Sequence, residues 1–203
     1  MKEGRKGRML LIMECYLIRH AETNLNKEKV LQGWADAELS EDGVMQAERL
    51  RGTLPPWPLF TSDLQRAVNT ARLLASPGQK VQPDARLREI DVGEWQGMAK
   101  AHLEGSSLWQ EYQSSPATFR FPGGESLKDL QTRMLGAFHD YRMRYSQIIM
   151  VSHHLALKSL LCHFHGWTLD RIHTINIPNT AIIRIRITDE SSHVQIEQIL
   201  SNH

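Results

Sequence analysis

The chain has 203 residues, 41% of them hydrophobic and 23% charged, with 24 Lys+Arg against 23 Asp+Glu. This is enough apolar material for one sizeable domain with a full core, and the balanced charge argues against a nucleic-acid groove or a membrane surface as the main partner. The two cysteines, Cys15 and Cys162, fit neither a zinc spacing nor a disulfide framework, so reduced thiols and a cytoplasmic location are expected.

Lys2 to Arg8 is basic and Gly-containing, and residues 1–12 read as a disordered or peripheral extension in which Met1 and Met13 both remain open as the natural start. Residues 13–203 read as a single domain. Cys15-Tyr-Leu-Ile18 is a short apolar run, expected as a buried strand. Ser40 is placed as an N-cap, with Glu41 and Asp42 in the first turn of a helix to about Leu54, and Pro55, Pro56 and Pro58 end it. Leu59-Phe60-Thr61 reads as a second strand. Asp63 is expected to open a helix through about Ala75, with Leu64, Ala67, Ala71 and Leu74 on its apolar face.

Val81 to Glu89 reads as extended, and Lys100 to Tyr112 as a helical patch. Pro122-Gly123-Gly124 is a breaker before Glu125 and a long helix to about Tyr145. Gln147 to Ser152 is the strongest buried-strand candidate, followed by a helix from about His154 to Phe164. Ala181 to Thr188 and Val194 to Leu200 read as a closing hairpin or adjacent strands. No internal repeats or linkers interrupt the chain. The alternation implies an α/β fold, a mainly parallel sheet flanked by helices.

In such folds the ligand sits beyond the carboxyl ends of the strands. Three predicted strand ends carry Arg19-His20, Ser62-Asp63 leading to Arg66, and Ser152-His153, and Glu89 stands among them as a carboxylate. Two guanidiniums and two imidazoles at one sheet edge suit a phosphate dianion, because the planar Arg fork matches phosphate oxygens.

These residues also carry a resemblance. Leu17-Ile-Arg-His-Ala-Glu-Thr23 with Asn26, Gln32-Gly-Trp34, Leu39-Ser40 and Gly43 resembles the opening motif of the histidine phosphatase superfamily, the phosphoglycerate mutase-like group. Thr61-Ser-Asp-Leu-Gln-Arg-Ala67 with Thr70-Ala71 resembles its second motif, and Leu87 to Gly97 its acid-bearing segment. Pro122-Gly-Gly-Glu-Ser126 resembles the helix opening of its phosphatase branches, such as the alpha-ribazole and broad-specificity phosphatases, and Val151-Ser-His153 its last core motif. The resemblance covers residues 15 to about 165 and implies a three-layer sandwich.

The resemblance implies that His20 is the nucleophile that forms a phosphohistidine, while Arg19, Arg66 and His153 clamp the phosphoryl oxygens. Glu89 would be the proton donor, with Asp91 and Glu94 as competing carboxylates on the same loop. Asn26, Gln32, Gly33 and His154 would line the substrate mouth. It implies no metal and no cofactor, a small phosphomonoester as partner, no nucleic acid and no membrane, and leaves the oligomeric state open, a homodimer included. Two other readings stay open, a cofactor-dependent phosphoglycerate mutase and a non-catalytic phosphoryl-binding module. The span from Glu89 to His153 is short and lacks an adjacent Arg pair to hold a substrate carboxylate, which favours hydrolysis over mutase action. Ala21 and His154 stand where the family often has Gly, and Leu25 where an aromatic is frequent. His154 either contacts substrate or narrows the mouth. Selectivity is expected to come from residues 98–121 and from around His154. Cys162, His163 and His165 lack metal-ligand spacing and read as core and surface.

Overall fold

The computed structural model describes residues 13–187 and the backbone of 194–199. The extension read at 1–12 lies outside the described residues, as do Thr188 and Leu200. Strands β1 (Met13–Arg19), β2 (Leu59–Thr61), β3 (Val81–Pro83), β4 (Gln147–Ser152), β5 (Ile182–Ile187) and β6 (Val194–Ile199) form one sheet in the order β3-β2-β4-β1-β5-β6. The first four are parallel neighbours, and the last two join antiparallel at the β1 edge. The expected mainly parallel sheet is therefore present.

Both faces of this sheet are covered, so the middle of its central strands, Cys15 to Ile18 and Ile148 to Val151, is continuously apolar. Alternation assigns each side chain to one of two cores. On one face Ile18, Leu59, Ile149 and Val151 pack with Ala67, Ala71 and Leu74 of helix α3 (Gln65–Leu74) and with Leu50, which ends α2 (Glu41–Arg49). On the other, Cys15, Leu17, Ile148 and Met150 meet α5 (Ser107–Ser114), α6 (Leu127–Arg142) and α7 (His154–Phe164). This is a three-layer sandwich. Each fully buried Leu or Ile in it contributes about 1.5–3 kcal/mol.

Several expected boundaries move, each for a local reason. The β1 strand starts two residues earlier, because Met13 and Glu14 pair with Ile187 and Arg186 of β5. Helix α2 ends at Arg49, well before Leu54, and the chain then turns at Gly52, where φ is +76°. Asp63 does not open α3: its carboxylate takes two hydrogen bonds from Arg88 at 2.7 and 2.6 Å, and Leu64 caps the helix without a side-chain bond. The run from Val81 to Glu89 stays extended only to Pro83. There Asp84 accepts from the Arg86 N–H and starts a 3-10 turn.

The patch from Lys100 to Tyr112 splits into α4 (Lys100–Leu103) and α5, which Ser106 caps separately. The long helix begins at Leu127, where Ser126 and Asp129 form a reciprocal capping box, and its last helical residue is Arg142. A short helix, α1 (Asn24–Lys27), and a 3-10 segment, Leu169–Thr174, were not foreseen.

Candidate active site

The C-terminal ends of β1 and β4 lie side by side, and the His20 N–H donates to the Ser152 carbonyl at 2.9 Å. This register brings His20 and His153 together, with ring centroids 5.0 Å apart. Arg66 arrives from the first turn of α3 and is only 1% exposed. The sequence-predicted core of Arg19, His20, Arg66, Glu89 and His153 converges, and all but His153 line one cavity of about 170 Å³.

The hydrogen bonds fix which ring nitrogens carry protons. His20 Nδ1 lies 2.7 Å from the Ala21 carbonyl, which can only accept, so Nδ1 holds the proton and Nε2 keeps its lone pair. Arg66 Nε donates to His153 Nδ1 at 3.2 Å, so His153 carries its proton on Nε2, a buried donor with no protein partner. The two imidazoles thus differ in kind: one offers a lone pair, the other an N–H. Arg66 is oriented further by the Ala35 and Gly33 carbonyls, both at 2.7 Å. Arg19 donates from a terminal nitrogen to the Ile177 carbonyl at 2.7 Å, while its buried Nε has no partner. Orphaned buried donors of this sort are rare in folded proteins and point to a ligand.

Burial, reinforced by Arg66 and Arg19, holds the His20 imidazole well below its ordinary 6.5. Burial together with Arg66 and His20 does the same to His153. Burial also lowers Arg19 and Arg66 to about 10, which leaves both charged at neutral pH. A stability consequence follows from the two histidines. Above pH 6.5 the folded and unfolded chains are both neutral at these sites. Below it the unfolded chain takes up protons that the folded one refuses, so folding weakens as pH falls. The slope is at most about 1.4 kcal/mol per pH unit for each imidazole. Urea unfolding at pH 7.5, 6.5 and 5.5 should show this decline, and His153→Asn should reduce it. A flat profile would contradict the neutral, buried pair.

Glu89 is held from several sides. Its carboxylate accepts from the backbone N–H groups of Ile90, Leu155 and Ala156 at 3.0–3.2 Å, the last two at the N-terminus of α7. Its carbonyl accepts from Trp34 Nε1 and from Arg133, both at 2.7 Å. Arg133 also grips the Arg86 and Arg88 carbonyls and pairs with Glu125 at 2.8 Å. Asp91 turns away to accept from the Gly93 N–H, and neither Asp91 nor Glu94 lines the cavity.

The Pro122-Gly-Gly turn has a steric role here. A Cβ on Gly93 would strike the Pro122 carbonyl and one on Gly124 the Asp91 carbonyl, so the two loops touch backbone to backbone. Arg133 lies on the amphipathic helix α6, where an arginine carries no sequence signal to mark such a clamp. Asn179 was missed as well. It donates to the His20 carbonyl at 3.0 Å and to Asn26 Oδ1 at 3.3 Å. The next residue, Thr180, sits at φ +59°, an outlier for a β-branched side chain and a mark of local strain.

Asn26, Gln32, Gly33 and His154 line the same cavity, and a buried side-chain oxygen of Gln32 has no partner. The remaining wall is apolar: Val30, Leu31, Ile90, Val92 and Leu155. No residue of 98–121, where selectivity is expected, lines the cavity directly; Met98 and Ala99 instead back its wall, the Met98 carbonyl accepting from the Leu31 N–H at 2.9 Å and Ala99 bridging to Val30. The aromatics of this segment, Trp109, Tyr112, Phe119 and Phe121, pack around Trp95, with centroids 5.2–6.3 Å from its ring. Among the described residues no group of three or more His, Cys, Asp or Glu is placed to hold a metal ion, and no helix is long and apolar enough to cross a membrane. Both cysteines are free and buried.

Comparison with known proteins agrees with this arrangement. Residues 15–198 match the profile of the histidine phosphatase superfamily (branch 1). Over 187 residues the chain is 28% identical to "Putative phosphoserine phosphatase 2" of Hydrogenobacter thermophilus, covering 87% of this chain and 91% of the relative. It is 34% identical over 188 residues to "Probable phosphoglycerate mutase GpmB" of an Enterobacter species, covering 86% and 85%. Among solved structures, YhfR of Bacillus stearothermophilus superposes with a TM-score of 0.84 at 28% identity, over 93% of this chain and 98% of that one. The structure described as "a putative alpha-ribazole-5'-P phosphatase" from Escherichia coli shares the fold at 24% identity, with a TM-score of 0.81 over 93% of this chain and 96% of that one. The chain belongs to the histidine phosphatase superfamily, branch 1.

Proposed function

We propose that residues 13–203 act as one cytoplasmic domain that hydrolyses small phosphomonoesters through a phosphohistidine on His20, without a metal ion. The observation that carries this reading is the His20 ring, whose Nδ1 is tied to the Ala21 carbonyl so that a neutral Nε2 lone pair remains beside two buried guanidiniums. In the first step Nε2 attacks phosphorus and the bond from phosphorus to the alcohol oxygen breaks, while Glu89 gives that oxygen a proton. Arg19, Arg66 and the His153 Nε2–H hold the three phosphoryl oxygens and stabilise their charge. In the second step water attacks the phosphohistidine and returns its proton to Glu89, freeing inorganic phosphate and the neutral His20. Asn26, Gln32 and Gly33 bound the phosphate mouth, and His154 faces the substrate.

The GpmB likeness keeps a mutase in view. A mutase must hold its substrate's carboxylate while keeping water from the phosphohistidine. Among the described residues that line the cavity, the charged cations are Arg19 and Arg66, both assigned to the phosphoryl group, and the rest of the lining, with Asn26, Gln32, Glu89, the two histidines and an apolar wall, offers no further cation for a carboxylate. This supports hydrolysis. The test is to supply 3-phosphoglycerate with and without 2,3-bisphosphoglycerate, alongside simple phosphomonoesters. Phosphate release from the esters without interconversion to 2-phosphoglycerate is expected. Efficient isomerisation stimulated by the bisphosphate, with little phosphate released, would overturn the hydrolase reading.

A further inference from the structure

His154 is the first residue of α7 and lines the cavity beside Arg19, His20 and Glu89. Its Nδ1 lies 3.2 Å from the Ile177 carbonyl, the same oxygen that takes the Arg19 hydrogen bond. A carbonyl only accepts, so Nδ1 carries the ring proton and Nε2 is left as a fixed acceptor. That makes His154 unlike its neighbours. Arg19, Arg66 and the His153 Nε2–H are all donors, suited to phosphoryl oxygens. A lone pair facing a phosphate dianion would be repelled, so the His154 acceptor cannot belong to the phosphate cradle.

Resting on the hydrolase reading above, we infer that His154 is a specificity residue: its Nε2 accepts a hydrogen bond from a hydroxyl on the leaving alcohol, close to the ester oxygen. The substrate class is then a phosphomonoester of a small polyol, its carbon chain lying along Val30, Leu31, Val92 and Leu155. The acceptor state persists across the working pH range. Burial is the main cause, and Arg19 from β1, Lys158 one turn along α7 and His173 from the 3-10 segment all oppose a further proton, so the imidazole is lowered to about 3. Lys158 is itself buried, yet at about 8 it remains largely charged at neutral pH.

The experiment compares glycerol 1-phosphate with propyl phosphate, which has the same carbon chain and no hydroxyl. In the wild-type enzyme the ratio of their kcat/KM values should be about tenfold or more, because a site that hydrogen-bonds a hydroxyl discriminates against the analogue lacking it. The ratio should stay level between pH 5.5 and 8. It should fall toward one in His154→Leu and recover in part in His154→Gln, whose amide oxygen reaches the same region. A wild-type ratio near one overturns the inference without any variant. So does an unchanged ratio in a folded His154→Leu protein, or a ratio that collapses below pH 6.5. Phosphate release from neither ester would instead overturn the hydrolase reading itself, and this inference with it.

Discussion

Replacing His20 with alanine is expected to lower phosphomonoester turnover by about 10⁴-fold or more, since removing the nucleophile alone costs about as much as dismantling the whole catalytic unit. The ring is 3% exposed, has one nitrogen fixed by the Ala21 carbonyl and lies beside Arg19 and Arg66. The other two imidazoles do not replace it: the His153 Nδ1 lone pair is engaged by Arg66, and the His154 ring is tied to the Ile177 carbonyl, with its Nε2 assigned to the substrate alcohol rather than to phosphorus. Residual activity should come only from the charge cradle acting on water. The variant should remain folded, because it removes an imidazole that two neighbouring cations already disfavour in its charged form. Incubation of the wild type with a radiolabelled ester, followed by alkaline quenching, should trap label that is stable to base and released by acid. That label should be absent from His20→Ala. Near-normal turnover in the variant would refute the nucleophile assignment. Loss of wild-type activity on chelation, with recovery on adding a divalent metal, would refute metal independence.

How much of this could be read from the chain depends on the residue. The Gln147–Ser152 strand is legible because its middle, Ile148 to Val151, is buried on both faces and apolar at every position. The placement of His20 and His153 follows from strand ends, since a parallel pair puts equivalent ends at one edge. What the pattern hides are contacts made by single side chains across long separations. Arg133 looks like a solvated helix residue until the Arg86, Arg88 and Glu89 carbonyls are seen to converge on it. Asn179 looks like a turn residue after Pro178, yet it supports the His20 backbone from 159 positions away. The stretch after Pro83 reads as a strand by composition, but Asp84 competes for the backbone N–H of Arg86 and bends it. The family motifs picked out Arg19, His20, Arg66, Glu89 and His153, which the fold brings together; the side chains that hold Glu89 in place became visible only in three dimensions.

The Glu89→Gln substitution should separate two roles that the geometry gives to one carboxylate. As a proton donor, Glu89 matters most when the leaving alkoxide is a strong base, so alkyl phosphates should lose about 10²–10⁴-fold in turnover. Nitrophenyl phosphate, whose leaving group departs without a proton, should lose far less. As a structural acceptor, the same carboxylate takes the Leu155 and Ala156 N–H groups and pins the start of α7, where His153 and His154 are presented. An amide keeps one acceptor oxygen and turns an NH₂ toward the other donor, so the helix start loosens and some stability is lost. Misplacing α7 would disturb His153 for every substrate alike. The leaving-group dependence therefore reports the proton, and the uniform part of the loss reports the positioning of the helix. Unfolding midpoints measured on the same samples show how far the second effect extends. An equal loss for alkyl and nitrophenyl esters would remove Glu89 as the acid and leave it as the residue that fixes the N-terminus of α7. Asp91 and Glu94 would then be tested in the same way, although neither borders the cavity.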